Sequence, residues 1–163
     1  MDTASEEIAP VFRLLVALGV AGIAILAVGL AQFVHYEPPG QRTGLAVSIR
    51  GVYDYDNKTG KPSGPSKNHF RTDEPFAAVV DWTSLPPDLV VGATWFSGGF
   101  ALDAGGVGPA RAADLTERSV VPVNGGAKRF PAGRYEFAVE RYSGGRPVEV
   151  LGHRSVIVVG SGN

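Results

Sequence analysis

The chain has 163 residues, a formal net charge of −1 and no cysteine. The near-neutral balance provides no strong field for nucleic acid or an acidic surface, and the missing cysteine excludes disulfides, thiolate metal sites, cysteine nucleophiles and covalent c-type haem. With 22 Gly and 12 Pro, the composition suits short strands joined by turns, and the length allows one ordinary domain beside an anchor.

Residues 1–10, MDTASEEIAP, form a polar tail. The span 11–35 is predicted to be a transmembrane helix. Its apolar run, Leu14 to Val34, carries one polar side chain, Gln32. At about 1.5 Å per residue it reaches about 30 Å, the hydrocarbon thickness of a bilayer. His35 and Tyr36 follow with polar-tipped rings suited to the membrane interface. A cleaved signal peptide is the competing reading, with Gly29-Leu30-Ala31 as the small-residue cutting pattern. Against it stand the acidic Asp2, Glu6 and Glu7 before the run, and the apolar Phe33 and Val34 beyond the cut. Ala17, Ala21, Ala24 and Ala31 fall near one helical face, with Gly22 and Gly29 beside it. Small residues let helix backbones approach closely in lipid, so this is the expected docking face for another transmembrane helix; Ala and Gly are also simply common in such spans.

Glu37, Pro38, Pro39 and Gly40 lie in the expected linker, 36–44, where two prolines end any helix and bias the chain to extended backbone. The linker is short, so the following domain is expected close to the bilayer. Charge flanking the apolar run is nearly balanced, and long domains translocate largely regardless of it. The domain is expected on the extracytoplasmic side of the plasma membrane.

That domain is predicted to span 45–159. Leu45, Val47 and Ile49 alternate with Ala46, Ser48 and Arg50, the period of a half-buried strand, and Gly51 is a natural bulge before Val52, Tyr53 and Tyr55. Residues 56–74 are polar and predicted to be a long loop. Within it Lys67, His69, Phe70 and Arg71 are a candidate contact segment for lipid headgroups or an acidic partner. Further strands are predicted at 75–82, 89–96, 100–102 and 118–123, with a single helical turn starting at Pro109. Trp95 and Phe96 point to opposite faces, which makes one of them core and leaves the other either as an exposed contact beside Phe100 or as further core packing. Tyr135, Phe137 and Val139 alternate, Ser143-Gly144-Gly145-Arg146 predicts a hairpin, and 147–159 predicts a closing strand bent at Gly152. Residues 160–163 are a tail.

About seven strands at this spacing indicate an all-β sandwich. Gly133-Arg134-Tyr135-Glu136-Phe137 resembles the tyrosine corner of immunoglobulin-like domains, and Trp95 is similar to their buried tryptophan. The resemblance implies an immunoglobulin-like sandwich in which the Tyr135 hydroxyl bonds the backbone and Trp95 packs between the sheets. Phe137 stands where antibody-type domains have their second cysteine, so the implied core holds by packing alone.

Reactive constellations are weak. Asp54 to Gly60 has the oxygens of a calcium loop at alternate positions, but Lys58 replaces a ligand and no bidentate Glu follows. His35, His69 and His153 form no metal spacing, and without cysteine the ligands of a copper domain are missing. Gly105 to Pro109 lacks the lysine and strand–helix context of a phosphate loop. No catalytic, cofactor or metal residue is assigned. The expected function is a non-catalytic, single-pass accessory subunit: its helix docks into a larger membrane complex and its sandwich braces a partner. The alternative is a freestanding surface binding module, anchored or secreted, for a protein, peptide or carbohydrate.

Overall fold

The computed structural model describes residues 39–102, 105–123 and 129–160. All belong to the unit His35–Asn163, one of two into which the chain divides. The predicted transmembrane helix, with Ala17, Ala21, Gly22, Ala24, Gly29 and Ala31, lies outside the described residues. Among the residues described, no helix is long and apolar enough to cross a membrane.

Ten strands are described, mostly antiparallel, in two sheets. They are β1 (Ser48–Asp56), β2 (Lys61–Ser63), β3 (His69–Arg71), β4 (Phe76–Asp81), β5 (Val90–Ser97), β6 (Phe100–Ala101), β7 (Val107–Arg111), β8 (Val120–Pro122), β9 (Gly133–Ser143) and β10 (Arg146–Val159). The first sheet has the order β2-β1-β4-β8; the second runs β3-β10-β9-β5-β6, with β7 also on β5. Only β3, on β10, is paired in parallel among these neighbours. The inward faces of both sheets share one apolar core.

Alternation predicts the long strands well because each has one face in that core. On β9, Tyr135, Phe137 and Val139 are buried. The Gly144-Gly145 turn joins β9 to β10 with both glycines at positive φ, as a two-residue hairpin with the twist of its strands requires. β1 carries its register shift between Ile49 and Gly51, where the sequence places a bulge.

Two predicted features are corrected, and a third that the sequence leaves open is decided. The stretch 56–74 is not an open loop: it holds β2 and β3, and Phe70 is 1% exposed. A three-residue strand is too short for alternation to be visible, and its one large apolar side chain turns inward. Pro109 does not start a helical turn but lies in β7, and the short 3-10 helix follows at Ala112–Arg118. Phe96 is buried together with Trp95, so the exposed aromatic at this end of β5 is Phe100 alone, at 61%.

Trp95 ties the two sheets together. Its ring lies 4.9 Å from Phe137 on β9 and 5.3 Å from Phe76 on β4. Its indole N–H donates to the Val121 carbonyl on β8 at 3.1 Å, so a buried polar atom is satisfied across the core. The Tyr135 hydroxyl donates to the Pro131 carbonyl at 3.0 Å and fixes the turn into β9.

Most edge strands are blunted against strand addition; β6, at the end of the second sheet, has no proline but only two residues. Edge strands β2, β7 and β8 contain Pro62, Pro109 and Pro122, each lacking an N–H. On β3 the Arg71 N–H donates to Glu74 at 2.8 Å, so this edge is capped from its own loop. Short, proline-bearing edges resist pairing with other chains.

Candidate functional site

The most organised polar site lies where the chain enters the domain. Residues 39–47, part of which the sequence suggests is a plain linker, run along β10 as a strap. Gly40 bridges Glu149, the Gln41 N–H donates to the Val148 carbonyl at 3.2 Å, and the Val47 N–H donates to the Leu151 carbonyl at 2.9 Å. The extended bias from Pro38 and Pro39 suits this path. The strap covers the part of the β10 edge that β3, paired only with Ile157 to Val159, leaves free.

Glu149 is the centre of the clamp. It is 2% exposed and sits directly across from Arg141 on β9. Its carboxylate accepts the Thr43 N–H, accepts the Thr43 hydroxyl at 2.9 Å, and accepts Arg141 Nε at 2.8 Å. Arg141 Nη2 in turn donates to the Gln41 side-chain carbonyl at 2.9 Å. The Thr43 N–H bond holds the Glu149 carboxyl below the ordinary glutamate range; burial acts the other way, and Arg141 adds to the lowering. A buried ion pair of this kind adds little net stability, but breaking it leaves a charge without its partner, so it specifies one arrangement.

Gly152 lets the strap approach. A Cβ there would lie 2.5 Å from Val47 Cγ1 and 3.1 Å from Ile49 Cδ1. Gly152→Ala is expected to destabilise the domain by about 1–3 kcal/mol through overpacking. Thermal melting measures that loss, and faster hydrogen exchange at the Val47 amide would place it under the strap.

Beside the strap is a groove of about 580 Å³ lined by Gln41, Arg42, Leu45, Glu136, Val150 and His153 among others. Glu136 is engaged: Arg134 Nε lies 2.9 Å from one of its oxygens, and His153 Nε2 lies 3.8 Å from the other. The arrangement offers shape and hydrogen bonding. Among the described residues no group of three or more His, Asp or Glu is placed to hold a metal ion.

The candidate contact segment does not form one surface. Phe70 stacks on Phe76 at 4.6 Å between ring centroids, inside the core. Lys67 is taken up by Asp54 at 2.7 Å and Glu74 at 3.3 Å, with its ammonium 4.8 Å from the Phe70 ring centroid. Burial lowers the Lys67 ammonium, but the hydrogen bonds and charges of Asp54 and Glu74 outweigh it and hold it raised. Arg71 pairs with Asp73 at 3.3 Å, and His69 is exposed. Phe70 and Lys67 are therefore corrected from contact residues to parts of a packed, internally neutralised corner.

The calcium-like stretch is a turn held by its own groups. Asp56 accepts the Lys58 N–H at 2.8 Å and the Thr59 hydroxyl at 2.9 Å, which hold its carboxyl below the ordinary range against the opposing effect of desolvation.

Sequence reasoning missed Gln41, Thr43, Arg141 and Glu149. The signal was present in part: Arg141 continues the inward phase of Tyr135, Phe137 and Val139, and Glu149 shares the phase of Leu151. Opposite charges in the apolar phase on either side of one hairpin mark a buried pair.

Fold and site together define a two-sheet, mainly antiparallel β domain whose entering segment is clamped to its last strand. No family model matches the chain, and neither a curated protein nor a solved structure does.

Proposed function

We propose that the chain is a single-pass membrane protein in which an immunoglobulin-like sandwich, on the extracytoplasmic side, serves as a non-catalytic accessory subunit. The strand order supports the immunoglobulin-like part. β1, β4 and β8 follow the A-B-E order of one sheet, and β10, β9 and β5 follow the G-F-C order of the other. The Tyr135 bond to Pro131 and the inter-sheet position of Trp95 suit the same reading.

The observation that carries the functional reading is the clamp on Thr43. The strap is fixed from Gly40 onward, so about five residues separate the apolar run from the domain, a reach of at most roughly 18 Å at full extension. A domain on so short a lead acts beside the bilayer on whatever shares the membrane with it. Short and mostly proline-bearing edges favour recognition through a face over strand addition. Ala17, Ala21, Ala24, Ala31, Gly22 and Gly29 are the proposed docking face for a partner's helix.

Purification of the intact chain from its own membranes in mild detergent tests this. A stable co-migrating membrane protein is expected, weakened when Ala21 and Ala24 are replaced by leucine. A lone monomer overturns the proposal.

The groove beside the strap favours a second reading, a freestanding binding module. It predicts that the fragment from Pro39 binds a ligand without the helix, and that Glu136→Ala or His153→Ala weakens that binding.

A further inference from the structure

The chain contains a single Asn-x-Ser/Thr tripeptide, Asn57-Lys58-Thr59. It forms the tip of the β1–β2 hairpin, and residues 56–60 are all exposed. The turn is held within itself: the Asp56 carboxylate takes the Lys58 N–H and the Thr59 hydroxyl, the Gly60 N–H donates to the Asp56 carbonyl at 2.8 Å, and Gly60 supplies the positive φ of 69° that closes it. A bulky group on Asn57 therefore displaces no core or inter-sheet contact. β1 begins opposite Asp81, beside the strap, and runs nine residues away from it. At about 3.3 Å per residue the turn lies roughly 30 Å from the start of the strand. A substituent there leaves the strap and its groove free.

We propose that Asn57 is an N-glycosylation site. The asparagine side-chain amide is the acceptor, and the hydroxyl two residues on is what the transferase requires. The donor is a lipid-diphosphate-linked oligosaccharide. Asn57 Nδ2 forms a bond to the anomeric carbon of the first sugar, the bond from that carbon to the diphosphate oxygen breaks, the lipid diphosphate leaves with the electron pair, and one amide proton passes to the transferase. The exposed Asp56–Thr59 bond opens to release the hydroxyl for recognition. The glycan then stands over the short edge strand β2 and adds a covalent shield where Pro62 already blocks pairing.

This proposal rests on the extracytoplasmic placement proposed above, and the test separates the two. The full chain is synthesised in membranes that carry an oligosaccharyltransferase and such a donor. The expected result is a species one glycan heavier, stripped by an amide-cleaving glycosidase to the starting chain with aspartate in place of Asn57, and lost in both Asn57→Gln and Thr59→Ala. A second chain combines Asn57→Gln with Glu117→Asn, which places the same tripeptide pattern, with Arg118 and Ser119, at an exposed position elsewhere on the domain. If this second chain is modified and the native one is not, the domain reaches the transferase and Asn57 is not an acceptor, which overturns the proposal alone. If neither is modified, the placement fails and the glycosylation site fails with it.

Discussion

Phe76→Ala is expected to destabilise the domain by about 3–5 kcal/mol, the range for removing a buried aromatic ring. Phe76 is 0% exposed and belongs to the first sheet, yet its ring meets Phe70, Trp95 and Tyr135 from the second at centroid distances of 4.6, 5.3 and 5.7 Å. Phe130, from the connection into β9, packs on it at 5.3 Å. One ring thus joins both sheets and a loop, and four rigid aromatic neighbours cannot close around the space it leaves. Domains are stable by only about 5–15 kcal/mol, so the loss is a large share of the margin. Urea unfolding of a fragment beginning at Pro39 measures it, as a fall in midpoint at unchanged slope. Val90→Ala, at a side chain 39% exposed, is the control and is expected to shift stability by less than about 0.5 kcal/mol. Equal effects of the two substitutions would contradict the aromatic cluster as the centre of the core.

Glu149→Ala is expected to free the strap while leaving the sandwich folded. It removes the acceptor of the Thr43 N–H and hydroxyl and the ionic partner of Arg141 together. Hydrogen exchange at the Gln41 and Val47 amides should then rise by roughly tenfold or more, as for local opening of an edge segment. Amides in the β5–β9 ladder should change little. Glu149→Gln, which keeps an acceptor for Thr43 but no charge for Arg141, should fall between. The same clamp responds to acid, with a definite sign. The Glu149 carboxyl is held below its ordinary value of 4.5, first by the Thr43 N–H and then by Arg141. A carboxyl lowered by folding contributes stability that is complete above its unfolded value and disappears as the pH falls through the folded one. Protection of the strap amides, taken against their intrinsic exchange rate at each pH, should therefore fall as the pH drops below the ordinary glutamate range, and Glu149→Ala should abolish that fall. An acid response that survives the substitution would assign it to another group, such as Glu74.

For the accessory-subunit proposal, the clamp is where structure and function meet. Without it, residues 39–47 would lose their attachment to β10. With it, residues 40–43 are held against the sandwich by the bonds among Gln41, Thr43, Arg141 and Glu149. A partner's effect on strap exchange is thus a direct readout of engagement near the chain's entry.

Several features were legible in the residues alone because they follow from local chemistry. Strands β1, β4, β5, β9 and β10 come from alternation or from apolar runs, since each has one face in the core. The Gly144-Gly145 hairpin, the bulge at Gly51 and the irregularity near Gly152 come from backbone freedom that only glycine offers so cheaply. The Tyr135 hydroxyl bond lies within four residues of chain, so a local pattern could announce it. The folding of 56–74 was hidden because β2 and β3 are three residues each, shorter than any period can be read. The inward turn of Phe70 and its stack on Phe76 are decided by β10, which pairs with β3 from nearly ninety positions further along. The clamp was hidden for the same reason: Thr43 and Glu149 are separated by 106 positions. Composition and periodicity determined that this chain makes sheets and where most strands lie. Which charges are buried, which aromatic rings face inward, and that the segment from Gly40 to Val47 is bound to β10 were settled only when distant strands closed over a common core, because the desolvation that selects those partners does not exist until the chain has folded.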